Sequence, residues 1–361
     1  MINGITPTTS SRIRMKLSSS SSSDKHMEDV IRVTNSIFPL IILPLATVGN
    51  FLCFLVFCRP KFQKRLTRTS SICLRLLCVN DLILLYLFII DVLLKVYLEP
   101  PKRIYSTPLT CRWYKFIRYS FLDMSAYIQL GLTTDRFICC VHHRYYSHWR
   151  KKYYIYYLLL IAFLLIVFKN SSFLAPAYGY TAPNKNYTVK CSVKIEAKSF
   201  ALYMAYGQSL IDVVFITCIP FFLIVYFNSK ILREVLRLRT ECWSTLTKLI
   251  NKKQGQSQDS NIRTRAVIRN RSKRRLHLTF ALGCISFVFV LSTAPYKIFK
   301  VVERHDKIIR DLRKRGASKS SPILLAEVII DCLEYLSCST PFFVCLATSS
   351  VFRDELRRVF Q

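Results

Sequence analysis

The residues in this chain best placed to do chemistry are charged ones set into apolar stretches. Asp135 and Arg136 lie in Thr134-Asp135-Arg136-Phe137, at the inner end of an apolar run that begins just after Cys111. An Asp-Arg pair at that depth is costly beside lipid, and ionisable groups in a membrane span mark function by default. The same run carries Arg118 and Asp123, which must face a bundle interior or its ends. Catalytic chemistry is not indicated. The six His (His26, His142, His143, His148, His277 and His305) fall in loops or at span ends. His142-His143 has no third ligand at hand for a metal site. With no nucleophile–base or metal constellation, the protein is not expected to be an enzyme, and a structural metal is not expected either.

Seven apolar stretches must position these groups: Ser36–Cys58, Ser70–Leu94, Trp113–Val141, Tyr153–Ala177, Ser199–Tyr226, Leu276–Val301 and Pro322–Ala347. Each is long enough to cross a bilayer as a helix, and in lipid each must satisfy its own backbone hydrogen bonds. The composition agrees, with 361 residues, 52% hydrophobic and only 8 Gly. Lys169 and Asn170 interrupt the fourth stretch. The fold class is therefore an all-α membrane protein, a seven-transmembrane helix bundle. Residues 1–35, with the run Ser18 to Ser23, read as a disordered tail. Residues 36–348 form the membrane domain, with a long basic loop at about 228–275. Residues 349–361 read as a short amphipathic helix on the inner membrane face.

Orientation follows from the Lys and Arg of the loops. Arg59 to Arg68, Arg144 to Lys152 and Lys230 to Arg275 fall on one side when the spans alternate. That side is cytoplasmic, so the N-terminus is outside, the C-terminus inside, and the location a plasma membrane. The net charge of +32 would suit a nucleic acid, but the basic residues sit between spans, where they meet anionic lipid headgroups. Nucleic acid is excluded as a partner. Cys111 and Cys191 both fall outside, where conditions permit a disulfide. Asn186-Tyr187-Thr188, in the same outer loop, is a glycosylation acceptor.

Taken together these landmarks resemble the rhodopsin-like (class A) G-protein-coupled receptors. The resemblance rests on Gly49-Asn50, on Leu76 to Leu82 around Asp81, and on Cys111 with Cys191. It rests also on the 25-residue spacing from Cys111 to Arg136, and on Pro220, Phe289, Pro295, Pro341 and the segment Phe352 to Phe360. It implies a receptor that binds an extracellular ligand and activates a heterotrimeric G protein by opening the cytoplasmic helix ends. Asp135, Arg136 and Phe137 would couple to the G protein. Asn50, Asp81, Ser125 and Ser337 would form a polar core with an allosteric Na+, the only cofactor implied. Pro220, Pro295 and Pro341 would be hinges, and Cys111–Cys191 the disulfide.

Departures from the family pattern narrow the reading. Span seven has Thr340-Pro341-Phe342-Phe343-Val344 in place of Asn-Pro-x-x-Tyr, and span six has Ser292-Thr293-Ala294-Pro295 in place of Cys-Trp-x-Pro. Arg274 and Arg275 stand where many members place an acid, so a weakened resting lock and some basal signalling are expected. Arg118 occupies the position of the amine receptors' Asp, and span seven has no Lys, which excludes a retinal Schiff base. Family positions bring Arg118 opposite Glu334 as an ion pair, with Asp212, Tyr296, Lys297, Glu327 and Asp331 completing a ligand pocket. A neuropeptide is the favoured ligand. A chemosensory receptor for a small, acidic ligand and a non-signalling decoy are the alternatives.

Overall fold

The computed structural model describes residues 22–62, 68–97, 106–142, 154–181, 189–194, 196–251, 282–306, 308 and 321–361. Seven long helices appear among them: α1 (Ser22–Cys58), α2 (Arg68–Tyr97), α3 (Pro108–Val141), α4 (Tyr154–Asn170), α5 (Lys198 to Asn251), α6 (Leu282–Asp306) and α7 (Ser321–Thr348). A short α8 (Ser350–Arg357) follows. Six of the seven are long and apolar enough to cross a membrane; α3 is long enough but too charged to qualify by composition. Its charged side chains are accommodated because α3 packs against α2, α4 and α5 and its inward faces are covered.

Large apolar side chains are left on the outside of the bundle, Phe168 at 80% and Phe222 at 66% exposure among them. In water such a surface would be a liability; against lipid tails it costs nothing, and polar groups turn inward instead.

Several boundaries differ from the hydropathy reading. α1 begins at Ser22, inside the segment expected to be a disordered tail, because extending an established helix costs far less than nucleating one, and Ile31 finds buried contacts. α4 ends at Asn170 and passes into a 3₁₀ turn, Ser171–Leu174, where an apolar helix to Ala177 was expected. α5 runs on to Asn251, through half of the expected loop. Hydropathy drops there, but Leu, Arg and Glu keep high helix propensity and Glu234 pairs with Arg237 at 2.8 Å.

Two π-helical turns, Tyr203–Gly207 and Asp212–Cys218, interrupt α5 just ahead of Pro220. Proline lacks an N–H and its ring crowds the preceding turn, and a π-bulge is one way to absorb that. Pro341 lies within α7.

One end of the bundle is covered by a hairpin. β1 (Tyr178–Thr181) pairs antiparallel with β2 (Val189–Val193), Tyr178 facing Val193. Cys111 and Cys191 form a disulfide with Cα atoms 5.8 Å apart, fixing β2 to the start of α3. Arg112 donates to the carbonyls of Tyr178 (2.6 Å) and Pro176 (2.9 Å). Gly179, at φ 67°, passes so close that a Cβ there would lie 3.0 Å from Cys111 Sγ. At the other end Ser349 caps α8 by accepting from the Phe352 N–H at 3.2 Å. Phe352 then packs between Phe57 and Phe342, and Glu355 takes Lys61 at 2.9 Å and Arg358 at 3.1 Å.

Candidate functional site

Polar groups gather at four depths along α3. Next to α8's end of the bundle, Asp135 and Arg136 are both buried and stand 3.8 Å apart. The Asp135 carboxylate also accepts a short hydrogen bond from Ser70 Oγ of α2, a partner that no sequence pattern marked. Among the described residues Arg136 Nε and Nη2 have no hydrogen-bond acceptor, so the guanidinium is sequestered but loosely held. Phe137 stacks on Phe227 of α5 at 4.6 Å. The cluster Arg269 to Arg275 lies outside the described residues, as does Asn186.

The expected polar core is only partly assembled. Asn50, Asp81, Ser125 and Ser337 are all buried. Asn50 Nδ2 donates to the carbonyls of Ala46 (3.0 Å) and Cys338 (2.7 Å), tying α1 to α7. Ser337 Oγ donates to its own helix at Glu334 O, 2.8 Å. No hydrogen bond joins Asp81 to Asn50, Ser125 or Ser337 among the described residues. Backbone carbonyls take the Asn50 and Ser337 donors instead, a habit of short polar side chains in helices. Among the described residues Asn50 Oδ1 and Glu334 Oε2 are left buried without a donor.

Midway, a buried ion network joins four helices. Lys169 of α4 reaches Asp123 of α3 at 2.5 Å and Asp212 of α5 at 2.6 Å. Arg304 of α6 holds Asp212 at 2.5 Å, and Lys297 approaches Asp123 at 3.5 Å. Asn170 Nδ2 completes the Asp123 shell at 3.1 Å. Lys169, which looked like a blemish in the fourth span, is the hub. Each group is buried, so each charge depends on its partners.

At the hairpin end a cavity of about 350 Å³ opens. Arg118, Tyr296, Glu327 and Asp331 line it as expected, joined by Lys300 and Arg304. Tyr296, Lys300 and Glu303 share a face of α6 through helical spacing, a signal that could have placed Lys300 in the cavity. Three expected residues are elsewhere. Asp212 is tied into the ion network, Lys297 points to Asp123 and the Leu122 carbonyl, and Glu334 is buried outside the cavity wall. The Arg118–Glu334 ion pair does not form. Arg118 instead lies over the Phe88 ring, 4.0 Å from its centre, and donates to Tyr114 Oη at 3.3 Å. Ring faces attract a guanidinium, and Phe88 meets Arg118 where Glu334 does not. Lys300 collects the acids, lying 3.1 Å from Glu327, 3.2 Å from Asp331 and 3.4 Å from Glu303.

A cavity under a disulfide-pinned hairpin, charges buried at its floor and an Asp-Arg pair at the opposite helix end form a receptor's plan rather than an enzyme's. No curated protein matches the chain. The family model described as the 7 transmembrane receptor (rhodopsin family) matches residues 49–342, and the chain, a multi-pass membrane protein, belongs to that family.

Proposed function

We propose that the protein is a cell-surface receptor that binds an extracellular peptide in the 350 Å³ cavity and activates a heterotrimeric G protein at the α8 end. The observation that carries this reading is Arg136. Among the described residues it is buried, held by a single carboxylate at 3.8 Å, and two of its nitrogens lack acceptors. A charge kept so is ready to take a new partner when the helix ends part. The N-terminus is outside and the C-terminus inside a plasma membrane, in keeping with the basic residues of the loops. Asn186 is the glycosylation site. Pro220, Pro295 and Pro341 serve as hinges, a role supported for Pro220 by the π-turn beside it. Asp81 binds Na+ with water and the oxygens of Asn50, Ser125 and Ser337, since a hard cation prefers oxygen ligands and Asn50 Oδ1 has no donor among the described residues.

The test is G-protein activation in cells expressing wild type or Arg136→Ala at matched surface levels, with a peptide library added. A basal or peptide-evoked response lost in the variant supports the reading. A response that persists undiminished in Arg136→Ala removes that residue from coupling, and a correctly folded surface protein with no response at all favours a decoy.

A further inference from the structure

The charges around the cavity are not equally available. Lys300 lies within 3.4 Å of Glu303, Glu327 and Asp331, so the acids already have an ammonium among them. Arg304 is committed to Asp212 and Lys297 to Asp123. Lys115 also lines the cavity, 5.9 Å from the Tyr114 and Tyr119 rings, and Arg118 differs from the three paired cations. Its guanidinium faces the cavity, rests on Phe88 at 4.0 Å, lies 5.9 Å from the Tyr114 ring and makes one hydrogen bond, to Tyr114 Oη. It has no ion pair among the described residues. A guanidinium carries five N–H donors in a planar fork, so most of this one's capacity is unused. An unpaired charge taken from water is costly, and a carboxylate accepting two parallel hydrogen bonds is the partner that fits the fork.

We infer that the cavity recognises its ligand by a carboxylate docked on Arg118, with the rings of Phe88, Tyr119, Tyr296 and Tyr335 around it. The inference rests on the cavity being the ligand site and names the ligand's anchoring group. The carboxylate has two sources, the free C-terminus of a peptide or a small organic acid, and the cavity's size admits either.

The experiment is a melting assay on the purified full-length protein in detergent, which needs no G protein, so its failure is separable from a failure to signal. The probes are phenylacetate, phenylacetamide, and N-acetyl-phenylalanyl-phenylalanine as free acid and as amide. Both acids are expected to raise Tm by about 2 °C or more near saturation, the amides not at all, and Arg118→Gln to abolish the effect. If that variant does not accumulate, Arg118→Lys keeps the charge but loses the fork, and should weaken acid binding by about threefold or more. The dipeptide acid acting at about tenfold lower concentration than phenylacetate assigns the carboxylate to a peptide terminus, and the reverse order to a small acid. Equal shifts by acid and amide overturn the inference. So do no shift by any probe at about 10 mM and an acid effect undiminished in the Arg118 variants.

Discussion

The buried ion network predicts an asymmetry between two substitutions that a list of salt bridges would rank alike. It contains three cations, Lys169, Lys297 and Arg304, and two carboxylates, Asp123 and Asp212. Lys169→Met leaves two charges of each sign, with Asp212 still held by Arg304 at 2.5 Å and Asp123 by Lys297 and Asn170. It loses two charged hydrogen bonds, but each carboxylate keeps another cation, so the cost is about 2–3 kcal/mol. Asp123→Asn leaves three cations on one carboxylate, and Lys297 keeps only the Leu122 carbonyl at 3.4 Å. Stranding a buried charge costs about 3–5 kcal/mol. At about 2–4 °C per kcal/mol, Asp123→Asn should lower Tm by about 6–20 °C and Lys169→Met by less. Unfolding is followed with a thiol-reactive dye, since Cys53, Cys78 and Cys345 are buried in the folded bundle. Adding Lys297→Met to Asp123→Asn restores the wild-type excess of one cation and should recover part of the loss. A Lys169→Met variant that melts as low as Asp123→Asn would refute the charge-balance reasoning.

Three further outcomes follow from the same coordinates. Burial pushes the Glu355 carboxyl up, but the Lys61 hydrogen bond and charge, with Arg358 and Arg59, outweigh it and hold it below the ordinary carboxylate range. Because the folded value is depressed, its contribution is complete above the unfolded value of about 4.3 and is lost as pH falls through the folded one. Glu355→Gln should therefore lower Tm at pH 7 by an amount worth about 1 kcal/mol or less, since Lys61 and Arg59 are 29% and 42% exposed and solvent screens them; a gap that stays undiminished as pH falls through the folded value would contradict it. Ser70→Ala removes the hydrogen bond on Asp135 and should raise basal G-protein signalling several-fold at equal surface expression, as measured by nucleotide exchange. Gly49→Val puts a Cβ 3.1 Å from Phe342 and should cost about 1–3 kcal/mol by overpacking, seen as a lower Tm; an unchanged Tm would show that α1 and α7 separate freely there.

The helices were legible because a bilayer demands a run of apolar residues of fixed length, and that demand is written locally. The disulfide was legible because both cysteines fall on one side of the expected topology. The ion network was not, since Asp123, Lys169, Asp212 and Arg304 each come from a different helix, with separations of 43 to 92 residues. No periodicity connects them. The Arg118–Glu334 pairing failed for a related reason. Opposite charge at facing positions was weighed, but the Phe88 ring that receives Arg118 carries no charge to signal it. The length of α5 was missed because hydropathy reports the edge of the membrane and not the end of the helix.

The geometry also connects the two ends of the bundle through one element. Arg304 lines the cavity and holds Asp212, and Asp212 opens the π-turn that precedes Pro220 in α5. Farther along α5, Phe227 stacks on Phe137, the neighbour of Arg136. Over the eighteen residues from Arg118 to Arg136, α3 spans about 27 Å, too far for direct electrostatic contact once screened. A contact at the cavity can reach the far end by repositioning α5, whose π-turn lies between Asp212 and Phe227, a feature often found at functional sites. Shared packing is not itself coupling, so a double-mutant cycle decides. Arg304→Gln and Phe227→Ala should each change basal signalling, and their combination should depart from additivity by about 0.5–2 kcal/mol, roughly twofold to thirtyfold in activity. Strict additivity would mean that α5 carries nothing between the cavity and Arg136.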